Sequence, residues 1–250
     1  MKALILAAGR GKRLGEITQD KNKCLLEIAG RPLIAYSLDC ASKIPQISEI
    51  VIIVGYQAEE IINNFGDHYL GKPVRYVFQK EQKGLVNAIE NAEAVLNKED
   101  FLLMLGDELM TNPRHLEMMK AFEDKDIFAL CGILLVENRD LIKKTYSISQ
   151  SDDGKITQLI EKPQNPENNI MGTGNCLFRK EIFSYIAKTP INKNRGEKEL
   201  PDLIQCAIND GKIVKPFNLC SRYFNVNLKE EIHDAQSYFA HFSESERKLL

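Results

Sequence analysis

The order of apolar and polar positions divides the chain into short alternating segments. "ALILAA" (3–8), "EIVIIVG" (49–55) and "FLLMLGD" (101–107) are nearly unbroken apolar runs, the pattern of strands buried on both faces of a parallel sheet. "PVRYVFQ" (73–79) predicts another strand. Between these runs, "PLIAYSLDCASKI" (32–44), "AEEIINNFGDHY" (58–69) and "LVNAIENAEAVLN" (85–97) space their apolar residues three and four apart, which predicts helices. Alternation of this kind predicts an α/β fold: a doubly wound, mixed, mostly parallel sheet with ligands outside the carboxyl ends of its strands.

From residue 127 the pattern changes. "IFALCGILLVEN" (127–138), "YSISQSDDGKITQLIEKP" (146–163) and "GTGNCLFRKEIF" (172–183) read as strands, the middle stretch folding back at Asp152-Asp153-Gly154. This part is expected to add antiparallel strands that wall the site. Linkers, low-complexity tracts and repeats are absent from the sequence. The expected organisation is one domain over 1–236 and a helical tail over 237–250 without a catalytic part.

Composition narrows the class. Of 250 residues, 44% are hydrophobic and 27% charged, as in globular proteins. The formal charge of −2 leaves no global basic field to hold nucleic acid or an anionic membrane. No apolar run approaches the ~20 residues of a membrane span, and "MKALILAAG" is too short in its apolar part for a secretory signal. A cytoplasmic protein is expected, with its six scattered cysteines reduced because none forms a CxxC pair.

Chemistry concentrates after the first strand. In "LILAAGRGKRLGEITQDKNKCLLEIAGRP" (4–32), Gly9 and Gly11 follow the strand directly, so backbone N–H groups there can face an anion. The dinucleotide fingerprint fails because Leu14 stands where a third glycine is needed. The P-loop fails because Lys12 is followed by Arg13. Arg13 nevertheless offers a rigid fork for phosphate oxygens, and Lys23 follows ten residues later, where the chain returns toward the sheet.

The stretch resembles the signature of the sugar-phosphate nucleotidyltransferases (nucleoside-diphosphate-sugar pyrophosphorylases), L-A-x-G-x-G-x-R-L-x-P-x-T-x-x-x-P-K-x-L. Leu6, Ala7, Gly9, Gly11, Arg13, Leu14, Thr18, Lys23 and Leu25 stand in register, followed by Gly30-Arg31-Pro32. Asn22 stands where a proline is common, and the proline usual earlier in the loop is also missing, which puts the stiffness of the loop in doubt. Five further clusters follow in the family's order. "QKEQKGLVNAI" (79–89) resembles Q-x-x-x-x-G-(L or T)-A, and "LLMLGDE" (102–108) ends a strand in Gly106-Asp107. "IEKPQNPENNIMGTGNCLF" (160–178) resembles E-K-P-x-x-P-x-S-N-x-x-x-T-G-x-Y-x-F. "NRGEKELPDL" (194–203) matches the R-G-E-x-E element of thymidylyltransferase-like members, and "YFNVNLKEEI" (223–232) stands at the W-x-D element.

The resemblance implies transfer of a nucleoside monophosphate from a triphosphate to a sugar 1-phosphate, with pyrophosphate leaving. It implies catalytic roles for Arg13, Lys23 and Lys162, and a nucleotide site of Leu6, Ala7, Ala8, Gly9, Gly11, Gln79 and Gly84. The sugar phosphate would meet Glu161, Lys162, Asn169, Thr173, Gly174 and Arg195. Mg²⁺ would sit on Asp107 and on Asn225, where the family has a second Asp; Asn227 is the fallback if the register slips. Glu108 is expected to point elsewhere, and Glu199 and Asp202 to organise their segment. His68, His115, His233 and His241 lie outside every motif.

The "LAAG" form favours a pyrimidine nucleotide, UTP or dTTP, with CTP open. Ser147, where sugar-specific members carry Gly, leaves the sugar unnamed. With the non-aromatic Asn175 and Cys176 it also leaves room for a cytidylyltransferase acting on an alcohol phosphate. A regulatory nucleotide-binding domain without turnover stays open as well, as does a homo-oligomer.

Overall fold

The computed structural model describes residues 1–242. Its elements begin with β1 (Lys2–Leu6), the hairpin strands β2 (Glu27–Ile28) and β3 (Arg31–Pro32), α1 (Leu33–Ser42), β4 (Glu49–Val54) and α2 (Ala58–Phe65). They continue with β5 (His68–Tyr69), β6 (Lys72–Phe78), α3 (Leu85–Leu96), β7 (Phe101–Leu105), β8 (Glu108–Thr111), α4 (His115–Ala121) and β9 (Ile127–Leu135). The remainder are β10 (Tyr146–Gln150), β11 (Ile156–Glu161), β12 (Ile170–Phe178), α5 (Phe183–Ile186), α6 (Leu200–Asn209), β13 (Ile213–Asn218), β14 (Arg222–Asn225) and α7 (Lys229–Ala240). The fold is α/β, with a mixed, mostly parallel central sheet of the Rossmann-like kind. Two compact units emerge: Met1–Gln82 with Met104–Pro113 and the chain from Cys220, and Lys83–Leu103 with Arg114–Leu219.

In the first unit β4 pairs in parallel with β1 and with β6, and β5 pairs antiparallel with β6. Ala3, Leu4, Ile5 and Ile50 through Val54 are wholly buried. Neither face of these strands meets water, which is why no polar residue interrupts their runs. A separate ribbon joins β8 to β14, with Glu108 opposite Asn225 and Thr111 opposite Arg222. Beneath it lies an apolar cluster of Leu14, Leu26, Ile28, Leu33, Leu109, Val226, Ala235 and Phe239. This cluster ties the glycine loop, the ribbon and α7 together.

The strand expected over 172–183 ends at Phe178, ahead of a 3₁₀ turn at Lys180–Ile182 and α5, and two helix boundaries also differ from the sequence expectation. The helix expected over 58–69 stops at Phe65, because Gly66 adopts φ 60 and donates to the Ile62 carbonyl at 2.9 Å, a terminating arrangement that glycine makes without steric cost. His68 and Tyr69 then form β5. The last helix begins at Lys229 rather than Ser237, with the Glu231 carboxylate accepting from the backbone N–H groups of Asn227 (2.7 Å) and Leu228 (3.0 Å). Residues 243–250 of the expected tail lie outside the described residues.

In the second unit β12 pairs antiparallel with β9, β10 and the first part of β7, and β10 pairs antiparallel with β11. These are the antiparallel strands expected from residue 127 onward. β13 runs parallel to β9. The sequence reading missed β13, since Lys215 and Pro216 interrupt its apolar pattern. All six cysteines are free. Among the described residues no helix is long and apolar enough to cross a membrane.

Candidate active site

The glycine loop is fixed at its root by backbone bonds. Leu6 accepts from the Gly106 N–H at 2.9 Å, and the Ala7 N–H donates to Ile53 at 2.8 Å. The Ala8 carbonyl accepts from the Tyr56 N–H at 3.2 Å and from Gln82 Nε2 at 2.8 Å. Gly9 is exposed, with open space where a side chain would stand. Gly11 takes φ 66 and lies so close to Lys23 that a Cβ would stand 3.0 Å from the Lys23 Cβ. At Gly15 the backbone adopts φ 60 and ψ −125, a conformation that glycine adopts without steric cost. Thr18 donates to the Gly11 carbonyl at 3.0 Å, and Leu14 anchors in the apolar cluster. Arg13, beside that anchor, is thereby aimed.

Four more predicted or fallback residues meet that arginine. Lys23 opens a 3₁₀ turn (Lys23–Leu25) whose N-cap is Asn22. Its ammonium pairs with the Asp107 carboxylate and donates to Asn227 Oδ1 at 3.1 Å. Arg13 Nη2 donates to the same oxygen at 2.8 Å, and Asn227 Nδ2 donates to Asn225 Oδ1. Residues so far apart in sequence converge because β14 pairs with β8 and the Val226 N–H donates to the Asp107 carbonyl at 3.1 Å. Glu108, next in sequence, does point elsewhere: it accepts from the Tyr223 hydroxyl at 2.5 Å. Burial, reinforced by Glu108, holds that phenol well above its ordinary range. The Cys24 thiol beside the cluster is pushed up to about 12, chiefly by burial and then by Asp107. It stays protonated and is no nucleophile.

Among the described residues no group of three or more His, Cys, Asp or Glu gathers to hold a metal. The oxygen set here is one carboxylate and two amides. That chemistry fits a hard divalent ion completing its shell with water and substrate phosphates, and excludes a closed thiolate or imidazole site.

The second unit holds a cluster of its own. Glu161 Oε1 pairs with Lys162 Nζ at 3.0 Å and with Arg195 Nη1 at 3.1 Å. Arg195 also pairs with Glu199 at 3.0 Å and with Glu197. Lys162 reaches its place through a backbone at φ 45, its N–H donating to Thr145 at 2.7 Å. Burial first, then the charge of Glu161, raises the Glu199 carboxyl from the usual 4.5 to about 7. Gly84 takes φ 89 and lies against Glu197, whose carboxylate a Cβ at position 84 would strike.

The other predicted residues occupy mixed positions. Gln79 is buried, and its N–H donates to Val54 at 2.8 Å. Asn169 is exposed, its carbonyl accepting from Val136 at 2.9 Å. Thr173 is buried and donates to the Gly132 carbonyl at 2.9 Å; Gly174 lies buried in β12. Asn175, whose non-aromatic side chain left room for the cytidylyltransferase alternative, is a core residue. Its Oδ1 is 2.9 Å from His115 Nε2, inside the unit.

Residues 2–221 match the family model described as Nucleotidyl transferase. The chain belongs to the sugar-phosphate nucleotidyltransferases. It is 33% identical over 238 residues to the UTP–glucose-1-phosphate uridylyltransferase AglF of Haloferax volcanii, covering 94% of this chain and 95% of that protein. It is 31% identical to a glucose-1-phosphate thymidylyltransferase of Streptomyces griseus, covering 86% of this chain and 59% of that longer protein. A solved UDP-glucose pyrophosphorylase complexed with UDP-glucose shares the fold, with a TM-score of 0.83 at 23% identity, over 96% of this chain and 98% of that one.

Several residues that shape the clusters of this nucleotidyltransferase carried no motif. Gln82, which fastens the Ala8 carbonyl, sits at a variable position of the resembling segment. Tyr56 donates its hydroxyl to the Gln19 carbonyl and stacks under the Arg10 guanidinium, 4.9 Å from ring to carbon. Nothing in the sequence around Tyr56 signals this. Asn22 did carry a signal, as a departure from proline.

Proposed function

We propose that this enzyme transfers a uridylyl or thymidylyl group from UTP or dTTP to a sugar 1-phosphate, releasing pyrophosphate, with Mg²⁺ as its metal. The observation that carries the reading is the convergence of Arg13, Lys23, Asp107, Asn225 and Asn227 at the root of the glycine loop. The identity to a relative named for UTP and glucose 1-phosphate supports the pyrimidine.

The obstacle in such a reaction is repulsion. Two unit charges ~4 Å apart cost about 4 kcal/mol at an effective dielectric of 20, and both reactants carry several. Arg13, whose planar fork suits paired oxygens, holds the β- and γ-phosphates. Lys23 holds the α-phosphate, where charge builds as the acceptor oxygen attacks and pyrophosphate departs. Asp107, with Asn225 or Asn227, holds the metal, which when bound neutralises phosphate charge and orients the oxygens. Lys162 and Arg195 hold the acceptor phosphate, and Glu161 accepts from sugar hydroxyls. Asn169, Thr173 and Gly174 line the sugar. Gln79 reads the base edge, and Gly84 lets the base approach the backbone. The acceptor phosphate is already ionised, so no general base is required.

A pyrophosphate-release screen tests the reading. UTP, dTTP, CTP and ATP are offered against sugar 1-phosphates and alcohol phosphates, with and without Mg²⁺. Metal-dependent release with UTP or dTTP and a sugar 1-phosphate is the expected result. Release confined to CTP and an alcohol phosphate would replace this reading with a cytidylyltransferase. Nucleotide-dependent thermal stabilisation without release would leave a binding domain.

A further inference from the structure

Asn22 is wholly buried, yet every polar atom it owns has a partner. Its Nδ2 donates to the Ala7 carbonyl at 3.1 Å and to the Tyr56 carbonyl at 2.7 Å. Its Oδ1 accepts from the Cys24 N–H at 2.8 Å, capping the turn that carries Lys23. Its own N–H donates to Glu60 Oε2 at 3.2 Å, and its carbonyl accepts from Leu25 at 3.0 Å. One side chain thus joins three backbone segments: the root of the glycine loop, the residues after β4, and the turn of Lys23.

Its backbone stands at φ −66 and ψ 136. That φ lies within the range to which a proline ring is locked. A proline could therefore set the same entry into the turn, but it could donate to neither carbonyl. An aspartate would turn a carboxylate toward two carbonyl oxygens. The amide alone supplies two donors and one acceptor at once.

We propose that Asn22 is a positioning residue for nucleotidyl transfer, holding the Lys23 ammonium in register with the glycine loop. The inference rests on the role proposed above for Lys23. Side chains that act through one another lose additivity, and this gives the test its edge.

The experiment compares kcat and the KM for the triphosphate in the wild type, Lys23→Met, Asn22→Ala and the double variant, with thermal unfolding of each. Asn22→Ala is expected to lower kcat by about tenfold or more, with the KM for triphosphate changed by less than about threefold. In the Lys23→Met background the same substitution is expected to change kcat by less than about twofold. Asn22→Asp, nearly isosteric and still able to cap Cys24, takes the place of Asn22→Ala in the cycle if that variant does not fold. Losses that multiply across the two sites would make Asn22 a purely structural residue and overturn the proposal. If Lys23→Met itself leaves kcat unchanged, the role of Lys23 fails instead, and the two failures are told apart.

Discussion

Lys23 and Asp107 neutralise one another before any substrate arrives. The lysine side chain is about nine-tenths buried, and its partner is little more open. The cation proposed for phosphate and the carboxylate proposed for the metal are thus each other's partner. On those roles, the binding of substrate and of metal is expected to be coupled.

Lys23→Met releases the Asp107 carboxylate from its internal cation. Mn²⁺ without nucleotide, followed by electron paramagnetic resonance, is expected to bind about tenfold tighter, because a like charge within a few ångströms is gone. Turnover with the full substrate set falls a hundredfold or more, the size of a lost transition-state contact. Unchanged Mn²⁺ affinity would show that the pair does not govern metal entry.

Arg195 serves three carboxylates at once, which the spread, planar fork of a guanidinium suits better than a compact ammonium. Arg195→Lys is expected to raise the KM for sugar 1-phosphate by about tenfold, the cost of one charge-assisted bond, and to leave the KM for triphosphate nearly unchanged. Initial-rate kinetics with each substrate varied in turn decides the matter. Equal rises in both constants would contradict a role confined to the acceptor.

Two buried groups give stability opposite slopes against pH. Burial lowers His115 from 6.5 to about 4, so its contribution is complete above pH 6.5 and is lost as pH falls through 4. Glu199 is raised from 4.5 to about 7, so its contribution is complete below pH 4.5 and is lost as pH rises through 7. Urea midpoints measured from pH 4 to 8 are expected to resist acid better in His115→Gln than in the wild type. Glu199→Gln is expected to remove the decline toward pH 7. Parallel curves for all three proteins would refute both assignments.

Phe239 on α7 is fully buried in the cluster that also holds Leu14, Leu109 and Val226. Phe239→Ala is expected to cost about 3–5 kcal/mol of stability and, through loosened β8 and β14, to weaken metal binding. Chemical denaturation and Mn²⁺ titration report the two effects. A loss below about 1 kcal/mol would mean that the helix is peripheral.

Much of this was legible because burial leaves a mark on composition. The runs at 3–8 and 49–55 announced β1 and β4, since strands covered on both faces tolerate few polar residues. The cations at 13 and 23 and the acid at 107 stood at fixed offsets from strand ends. By contrast, the ribbon of β8 and β14 was invisible: its pairing joins residues more than a hundred positions apart, and neither four-residue strand shows a period. It is this ribbon that sets Asn225 and Asn227 beside Asp107. Doubt about the loop's stiffness rested on two missing prolines. The structure holds the loop instead through the hydrogen bonds of Asn22 and Thr18.

The charge balance of the two clusters bears on how substrates are captured. Lys23 is paired with Asp107, and Lys162 and Arg195 sit among Glu161, Glu197 and Glu199. Each patch is largely self-cancelling when viewed from beyond a Debye length, about 8 Å at physiological ionic strength. Diffusing anions therefore feel little long-range pull, and encounter rates depend only weakly on added salt. The attraction becomes available at short range, once an arriving phosphate has prised a cation from its carboxylate.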